Sequence, residues 1–422
     1  MKAPLLEMDS LFALTPSGLL DSLESHFPLV AEMKATPQDA EWHAEGDVRC
    51  HTEWVIAEMQ GLLVNELADE HLSPSDRAAL LLGAALHDIG KPLTSRPREI
   101  DGRERIVSPG HAGRGRSYVA LRLIGLGLPA AVQEVVLALI GHHHDPMKLV
   151  RREAPDAAYR RLARVIDPAL IYWLELADGR GRECGDSRDG EEWLELYRLR
   201  CEELGLWRGV DPYAAWREEL SVGLSGSKCW LSGSKCWLSG SKCCRDYVLE
   251  EAIMQHEEGA IQSPAEALAR TYPYRESHSR VTITCGLSGS GKSHWLSAQE
   301  RGEIISLDDL REELCGKRED QSKNGQVLQL AKERFKACLR DRRDVVWDGT
   351  NIREDGRSMI VQLARDYHAY TRLVVFAAPL DQVRRRNRKR KDAIPVKALE
   401  AQIDRFEWPE IWEAHDVVVE AD

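Results

Sequence analysis

The chain has 422 residues, 43% hydrophobic and 30% charged, with 57 basic and 69 acidic side chains and a formal net charge of −12. That length accommodates two or three domains, and the acidic balance excludes a general nucleic-acid coating protein, which would be basic overall. No apolar run reaches the roughly 18 residues of a membrane span, and MKAPLLEMDS has no export-signal pattern, so the ten cysteines are read as free thiols in a reducing cytoplasm.

Residues 1–220 read as helical: apolar side chains recur at helical spacing in 53–67, 78–87, 116–125 and 130–140, with Pro74 and Pro129 where helices would start. There is little strand signal in this part. It carries an ordered set of metal-type ligands: His43 and His51 in WHAEGDVRCHT, His87-Asp88 in LHDIGKP, and His111 in PGHAGRG. His142-His143-His144-Asp145 and Asp178 in LADGRGR follow. Any single imidazole is more often a packed or exposed side chain. The ordered set with H-D-x-G-K outweighs that reading. Imidazoles and carboxylates on successive helices suit one or two divalent transition metals, which polarise a phosphate and generate hydroxide at neutral pH.

Residues 221–278 are expected to be a linker. They open with three heptads, GLSGSKC, WLSGSKC and WLSGSKC, over 223–243. The composition is that of a duplicated linker tract. The seven-residue spacing of Cys229, Cys236 and Cys243 does not close a metal ring as C-x-x-C does. The GLSGS string lacks the G-K-S ending of a phosphate loop.

From 279 to 422 the pattern alternates. Short β-branched runs at 281–285, 303–306, 344–348, 372–377 and 416–419 are separated by helical stretches, notably 324–341, 354–367 and 395–405. That alternation indicates a parallel sheet flanked by helices. Directly after the first strand, Gly286-Leu-Ser288-Gly289-Ser290-Gly291-Lys292-Ser293 matches G-x-x-x-x-G-K-[ST] in full. Glycines let backbone N–H groups curl around phosphate, with Lys292 reaching the β/γ-phosphates and Ser293 holding Mg²⁺. Asp308 and Arg311 follow the second strand, where ligands bind in open α/β sheets. Asp308 fits a general base and Arg311 a phosphate clamp, against a bland reading in which Ser306 or Asp308 merely caps a helix. Asp348-Gly-Thr-Asn351 lands on the same edge. Arg384 to Lys391 puts seven cations in eight residues, which points to a lid over phosphates.

The order P-loop, D-D-x-R, D-x-T-N, Arg-rich lid and Ile394-Pro395 resembles the phage-type polynucleotide 5'-kinases. The resemblance implies ATP or another NTP with Mg²⁺ as donor and Asp308 as general base for a 5'-hydroxyl. It implies Arg311 on the acceptor phosphate, Asp348 supporting Arg311, and Arg386 and Arg390 on the donor phosphates. Residues 40–185 resemble the HD phosphohydrolases, closest to the accessory domain of bacterial tRNA nucleotidyltransferases. That implies His51, His87, Asp88 and Asp178 as metal ligands. His111 and His142 or His143 would complete a second site or touch substrate, with His142 taken as the ligand and His143 as the substrate contact. Lys91 and Arg114 would hold substrate phosphate. His43 stays open between a substrate contact and a structural role. The metal would be Ni, Co, Mn or Fe. The domain order resembles the bifunctional bacterial HD-domain polynucleotide kinases. It implies removal of 2',3'-cyclic, 2'- or 3'-phosphate and phosphorylation of 5'-hydroxyl ends of RNA or DNA, with functional pairing to a polynucleotide ligase. The rival readings are an HD nucleotidase fused to a small-molecule kinase and a nucleotide-sensing regulatory protein. The expected fold class is multidomain: an all-α HD-type N-terminal domain and an α/β P-loop kinase domain with a parallel sheet.

Overall fold

A computed structural model of the chain describes residues 8–68, 70–183, 187–224, 244–298, 302–318, 320, 322–390 and 393–421. It divides into two compact units, Met1–Pro212 and Tyr213–Asp422. Among the described residues no helix is long and apolar enough to cross a membrane.

The first unit is helical. Its principal helices are Val48–Val64, Pro74–Leu86, His111–Leu123, Ala130–His142 and Pro168–Arg180. Pro74 begins its helix behind a capping box: Ser73 Oγ accepts from Asp76 N–H at 3.1 Å, and the Asp76 carboxylate accepts from Ser73 N–H at 3.2 Å. Pro129 is the N-cap of Ala130–His142. From Ala78 to Leu86 every side chain of the second helix is buried, so this is a central helix, apolar all round. It ends at His87 and delivers the His-Asp pair into the interior.

One element was not expected. Arg96–Ile100 (β1) and Arg103–Val107 (β2) form an antiparallel hairpin. Asp101 and Gly102 turn it at φ of +51° and +74°, the left-handed pair that a two-residue hairpin loop requires. The Asp-Gly dipeptide was its signal. Pro97 and the density of charge hid the alternation.

The second unit is built on a five-stranded parallel sheet. The strands are Arg280–Cys285 (β3), Glu303–Ser306 (β4), Val345–Asp348 (β5), Tyr370–Ala377 (β6) and Asp416–Ala421 (β7), in the order β4-β5-β3-β6-β7. β3, whose end feeds the phosphate loop, is central. The inner strands are the Val/Ile-rich runs expected of strands covered on both faces.

The stretch expected as a linker is partly folded. Ala214–Gly223, Cys244–Glu257 and Pro264–Thr271 are helices. They enclose a core of Leu220, Leu224, Tyr247, Val248, Ala252, Ile261 and Ala267, with Tyr370 of β6 packed against it. The chain therefore divides between Pro212 and Tyr213 rather than at 220. Cys229, Cys236 and Cys243 lie outside the described residues. Glu251 ties this helical module to the sheet: its carboxylate accepts from His415 Nε2 at 2.6 Å and from Arg365 at 3.2 Å.

Candidate functional site

In the first unit, ligands from three helices and two turns converge. His51 Nε2 lies 2.9 Å from Asp178 Oδ1 and 3.6 Å from Asp88 Oδ2. His87 Nε2 lies 3.3 Å from Asp88 Oδ2 and 3.7 Å from Asp178 Oδ1. On the other side of Asp88, Oδ1 is 3.2 Å from His111 Nε2, which is itself 3.2 Å from His143 Nε2. The Asp88 carboxylate thus straddles two groups of imidazoles.

The rings are oriented from behind. His51, His87, His111 and His143 each direct Nδ1 at a backbone carbonyl, respectively Gly181 at 3.2 Å, Ala84 at 2.9 Å, Ser108 at 2.8 Å and Ile140 at 2.9 Å. Donation there leaves every Nε2 a lone pair facing inward, as a metal ligand requires. His87 Nε2 is buried without a hydrogen bond, and the buried Asp88 oxygens meet the imidazoles and Lys91 only as close ion pairs. Such groups are costly unless a cation completes them, so the donor set fits a divalent metal. His51, His87 and Asp88 form one group and His111, His143 and His144 another, each with ligand atoms within 4.8 Å of one another.

Charge is managed accordingly. Burial acts to raise the Asp88 carboxyl, yet Lys91, His87 and His111 outweigh it and hold the group well below its ordinary range. Burial acts likewise on Asp178, overcome by Arg182, His51 and His87. Lys91 Nζ stands 2.6 Å from Asp88 Oδ2, and Arg182 Nη2 2.8 Å from Asp178 Oδ2. His43 and His51 share one acceptor, Glu45 Oε1, at 2.8 and 2.9 Å. Burial lowers His43 to about 4, against the Glu45 hydrogen bond.

The expected ligand His142 is absent from both groups, its Nδ1 lying 2.8 Å from Asp145 Oδ2; His143, expected as the substrate contact, is the residue beside His111. Arg114 sits half-buried one turn after His111. Glu45, Glu175 and Arg182 were missed. Arg182 could have been found from its i+4 spacing to Asp178 and Glu45 from its position between two histidines. Glu175, buried with His144 Nδ1 at 3.9 Å, carries no such signal.

In the second unit, Gly286, Gly289 and Gly291 adopt φ of +156°, +91° and +112°. A Cβ on Gly286 would stand 2.8 Å from Phe376 O and one on Gly289 3.1 Å from Val383 O. Only glycine fits a loop curled this tightly. Lys292 Nζ donates to Gly286 O and Leu287 O, both at 2.8 Å. Burial lowers its ammonium to about 8, against the pull of Asp348. Ser293 follows on the first turn of the Lys292–Ser297 helix. The D-G-T-N segment is laced to this loop: Gly286 N–H donates to Thr350 O at 2.8 Å, and Asn351 Nδ2 to Thr284 O at 2.7 Å.

Ser306 is the N-cap of Leu307–Cys315, so Asp308 is not needed as a cap, and its side chain is 63% exposed. Asp308 pairs with Arg311, whose Nε donates to Asn324 Oδ1 at 3.1 Å. The expected support of Arg311 by Asp348 is replaced by these two partners; Asp348 lies 3.3 Å from Thr284 Oγ1 instead. The Leu380–Lys389 helix packs on the loop, the Arg386 Cβ 3.7 Å from where a Cβ on Gly289 would be. Arg384 is held by Glu400 at 2.7 and 2.8 Å, and Arg390 is exposed at the helix end. Gln402 Oε1 accepts from Ser288 N–H at 3.0 Å, a contact with no sequence signal.

Residues 57–169 match the family model described as HD domain, and residues 281–409 the model described as AAA domain. An HD domain and a P-loop domain share this chain. The first match contains His87, Asp88, His111 and His143 and leaves His51 and Asp178 just outside. The Multifunctional CCA protein of Pasteurella multocida (strain Pm70) is 37% identical over 187 residues, 42% of this chain and 40% of that protein. The chain thus spans 40% of that relative's length. HD domains bind divalent metals, and P-loop domains bind nucleotide with Mg²⁺.

Proposed function

We propose that the chain is a nucleic-acid end-healing enzyme. Its P-loop unit transfers the γ-phosphate of ATP or another NTP to a polynucleotide 5'-hydroxyl, and its HD unit removes 2',3'-cyclic, 2'- or 3'-phosphate from RNA or DNA ends. The observation that carries this reading is the pairing, on one chain, of a phosphate loop flanked by the Asp308–Arg311 pair with a buried cluster that presents six inward ligands. A nucleotide sensor has no need of a carboxylate–arginine pair beside its loop.

In the P-loop unit, Gly286–Ser293 would cradle the donor phosphates and Ser293 would hold Mg²⁺. Lys292 and Arg386 would balance charge on the transferring group. Asp308, exposed at the carboxyl edge of the sheet, would take the proton of the 5'-hydroxyl, and Arg311 would hold the acceptor's phosphate. In the HD unit, His51, His87, Asp88 and Asp178 would hold one divalent ion, and His111 with His143 a second. Bound there, the metal supplies Lewis acidity and a low-pKa water. Lys91 and Arg182, each on a ligand carboxylate, fix the carboxylates and keep them ionised.

The test is separation of function. Lys292→Ala should abolish 5'-phosphorylation and leave phosphoesterase activity intact, and His87→Ala with Asp88→Ala should do the converse. Joint loss in folded proteins would refute two independent centres. The name of the Pasteurella relative raises nucleotidyl transfer as a second reading. That activity would add a nucleotide rather than a phosphoryl group to the end, which mass spectrometry of the product distinguishes.

A further inference from the structure

The β1–β2 hairpin is used by neither centre, yet it is rooted in one of them. It leaves the Lys91–Thr94 turn, where Ser95 N–H donates to Lys91 O at 2.8 Å, and it returns to Ser108, whose carbonyl faces His111 Nδ1 at 2.8 Å. Its register pairs Arg96 with Val107, Arg98 with Arg105, Glu99 with Glu104 and Ile100 with Arg103. Directly paired residues share a face, so Arg96, Arg98, Arg103 and Arg105 all lie on one side, and Glu99 and Glu104 on the other. Arg96, Arg98 and Arg103 are exposed. Arginines directly opposite one another destabilise a hairpin. Arg105 is neutralised by Asp39 and Glu41, which leaves Arg96, Arg98 and Arg103 as the exposed cations of this face, a match for the phosphates of a polyanion.

The fourth arginine adds an aromatic surface. Asp39 lies 3.1 Å from Arg105 Nη1, Glu41 pairs with the same nitrogen, and the guanidinium stacks over Trp42 at 4.4 Å from the ring centroid. Trp42 is 44% exposed. The next residue is His43, whose ring meets that of His51 at 4.8 Å. Exposed aromatic and cationic face therefore run together up to the edge of the histidine–aspartate cluster. Cations for phosphates interleaved with a ring for a base is the composition of a single-strand binding surface.

We propose that the arginine face of the hairpin, with Trp42, is a track for single-stranded nucleic acid leading into the HD centre. Phosphates of the strand lie on Arg96, Arg98 and Arg103, and a base upstream of the terminal nucleotide stacks on Trp42. This rests on the end-healing reading above and names the body of the strand, rather than its terminal phosphate, as what the hairpin holds.

The experiment uses the full chain and two substrates. One is a short single-stranded RNA with a 2',3'-cyclic phosphate and a blocked 5' end; the other is a 2',3'-cyclic mononucleotide too small to reach the hairpin. The variants are Trp42→Ala and the triple Arg96→Gln, Arg98→Gln, Arg103→Gln. The triple variant should raise KM for the RNA and lower the salt slope of its binding by about 2, at roughly 0.7 per phosphate contact on a single strand. Trp42→Ala should weaken the RNA roughly 5- to 150-fold, the range for loss of one stacked base. Neither should change hydrolysis of the mononucleotide. Equal losses on both substrates would make the hairpin a support for the centre and overturn the track, as would unchanged RNA kinetics and salt slope. If inorganic polyphosphate competes as well as RNA and Trp42→Ala is silent, the surface binds polyanion without bases and the proposal fails. Should the wild-type chain turn over neither substrate, the end-healing reading itself falls, while RNA anisotropy against the triple variant still decides the track.

Discussion

Gly90 is where alanine should do most damage for its size. It follows the His87-Asp88 pair, with ordinary helical φ of −81°, so its role is not conformational. A Cβ there would stand 2.0 Å from His111 O and 2.7 Å from Gly115 N, distances that real Cβ contacts do not show below 3.0 Å. Both atoms are backbone and cannot rotate away. Gly90→Ala must therefore push the His111–Leu123 helix outward by about 1 Å, because close-packed interiors transmit such strain. His111 Nε2 stands only 3.2 Å from both Asp88 Oδ1 and His143 Nε2, so that shift separates one half of the cluster from the other. A misplacement of about 1 Å is expected to cost roughly 100-fold in phosphoesterase rate, and overpacking about 1–3 kcal/mol in stability. Hydrolysis of a 2',3'-cyclic nucleotide, bound metal per chain and thermal melting would be measured together, with 5'-kinase rate as internal control. Full phosphoesterase activity and metal content in folded Gly90→Ala protein would refute the reasoning. A parallel fall in kinase rate would show that the damage is global.

Further consequences follow from the same contacts. His143→Ala should remove phosphoesterase activity, whereas His142→Ala should leave most of it; the reverse order would reinstate His142 as the ligand. Asp308→Asn should lower 5'-phosphorylation by about 10²–10⁴, the worth of a general base, with nucleotide binding by a fluorescent analogue unchanged. Burial acts to raise the Glu251 carboxyl, but His415 and Arg365 hold it at about 2, below its ordinary 4.5. A depressed carboxyl contributes stability above its unfolded value and loses it as pH falls from 4.5 towards 2. Glu251→Gln should therefore destabilise the second unit by on the order of 2 kcal/mol at pH 7. It should cost much less near pH 3, read from urea midpoints; an equal loss at both pH values would assign the effect to packing.

What the sequence revealed, and what it hid, has physical causes. The inner strands of a parallel sheet are buried on both faces and so are uninterrupted β-branched runs, which is why 281–285 and 372–377 fall on β3 and β6. The phosphate loop is legible because its glycines are required by left-handed backbone. The hairpin was hidden because its strands are exposed and their charges, not their hydrophobes, alternate. The helices at 244–257 and 264–271 were obscured by the Gly/Ser/Cys heptads before them, although Tyr247, Val248 and Ala252 bury fully enough to form a core. Choosing His143 over His142 required the phase of a helix end. Glu45 and Glu175 stand among 69 acidic residues, so only burial and proximity to imidazoles single them out.

The most direct measurement takes a short RNA with a 5'-hydroxyl and a 2',3'-cyclic phosphate, incubated with ATP and Mg²⁺, with and without added Mn, Co or Ni. Mass spectrometry then resolves each terminus. One phosphoryl group should appear at the 5' end in either condition, and the cyclic phosphate should be lost when transition metal is supplied. An RNA unchanged at both termini, or one lengthened by nucleotides, would contradict the account.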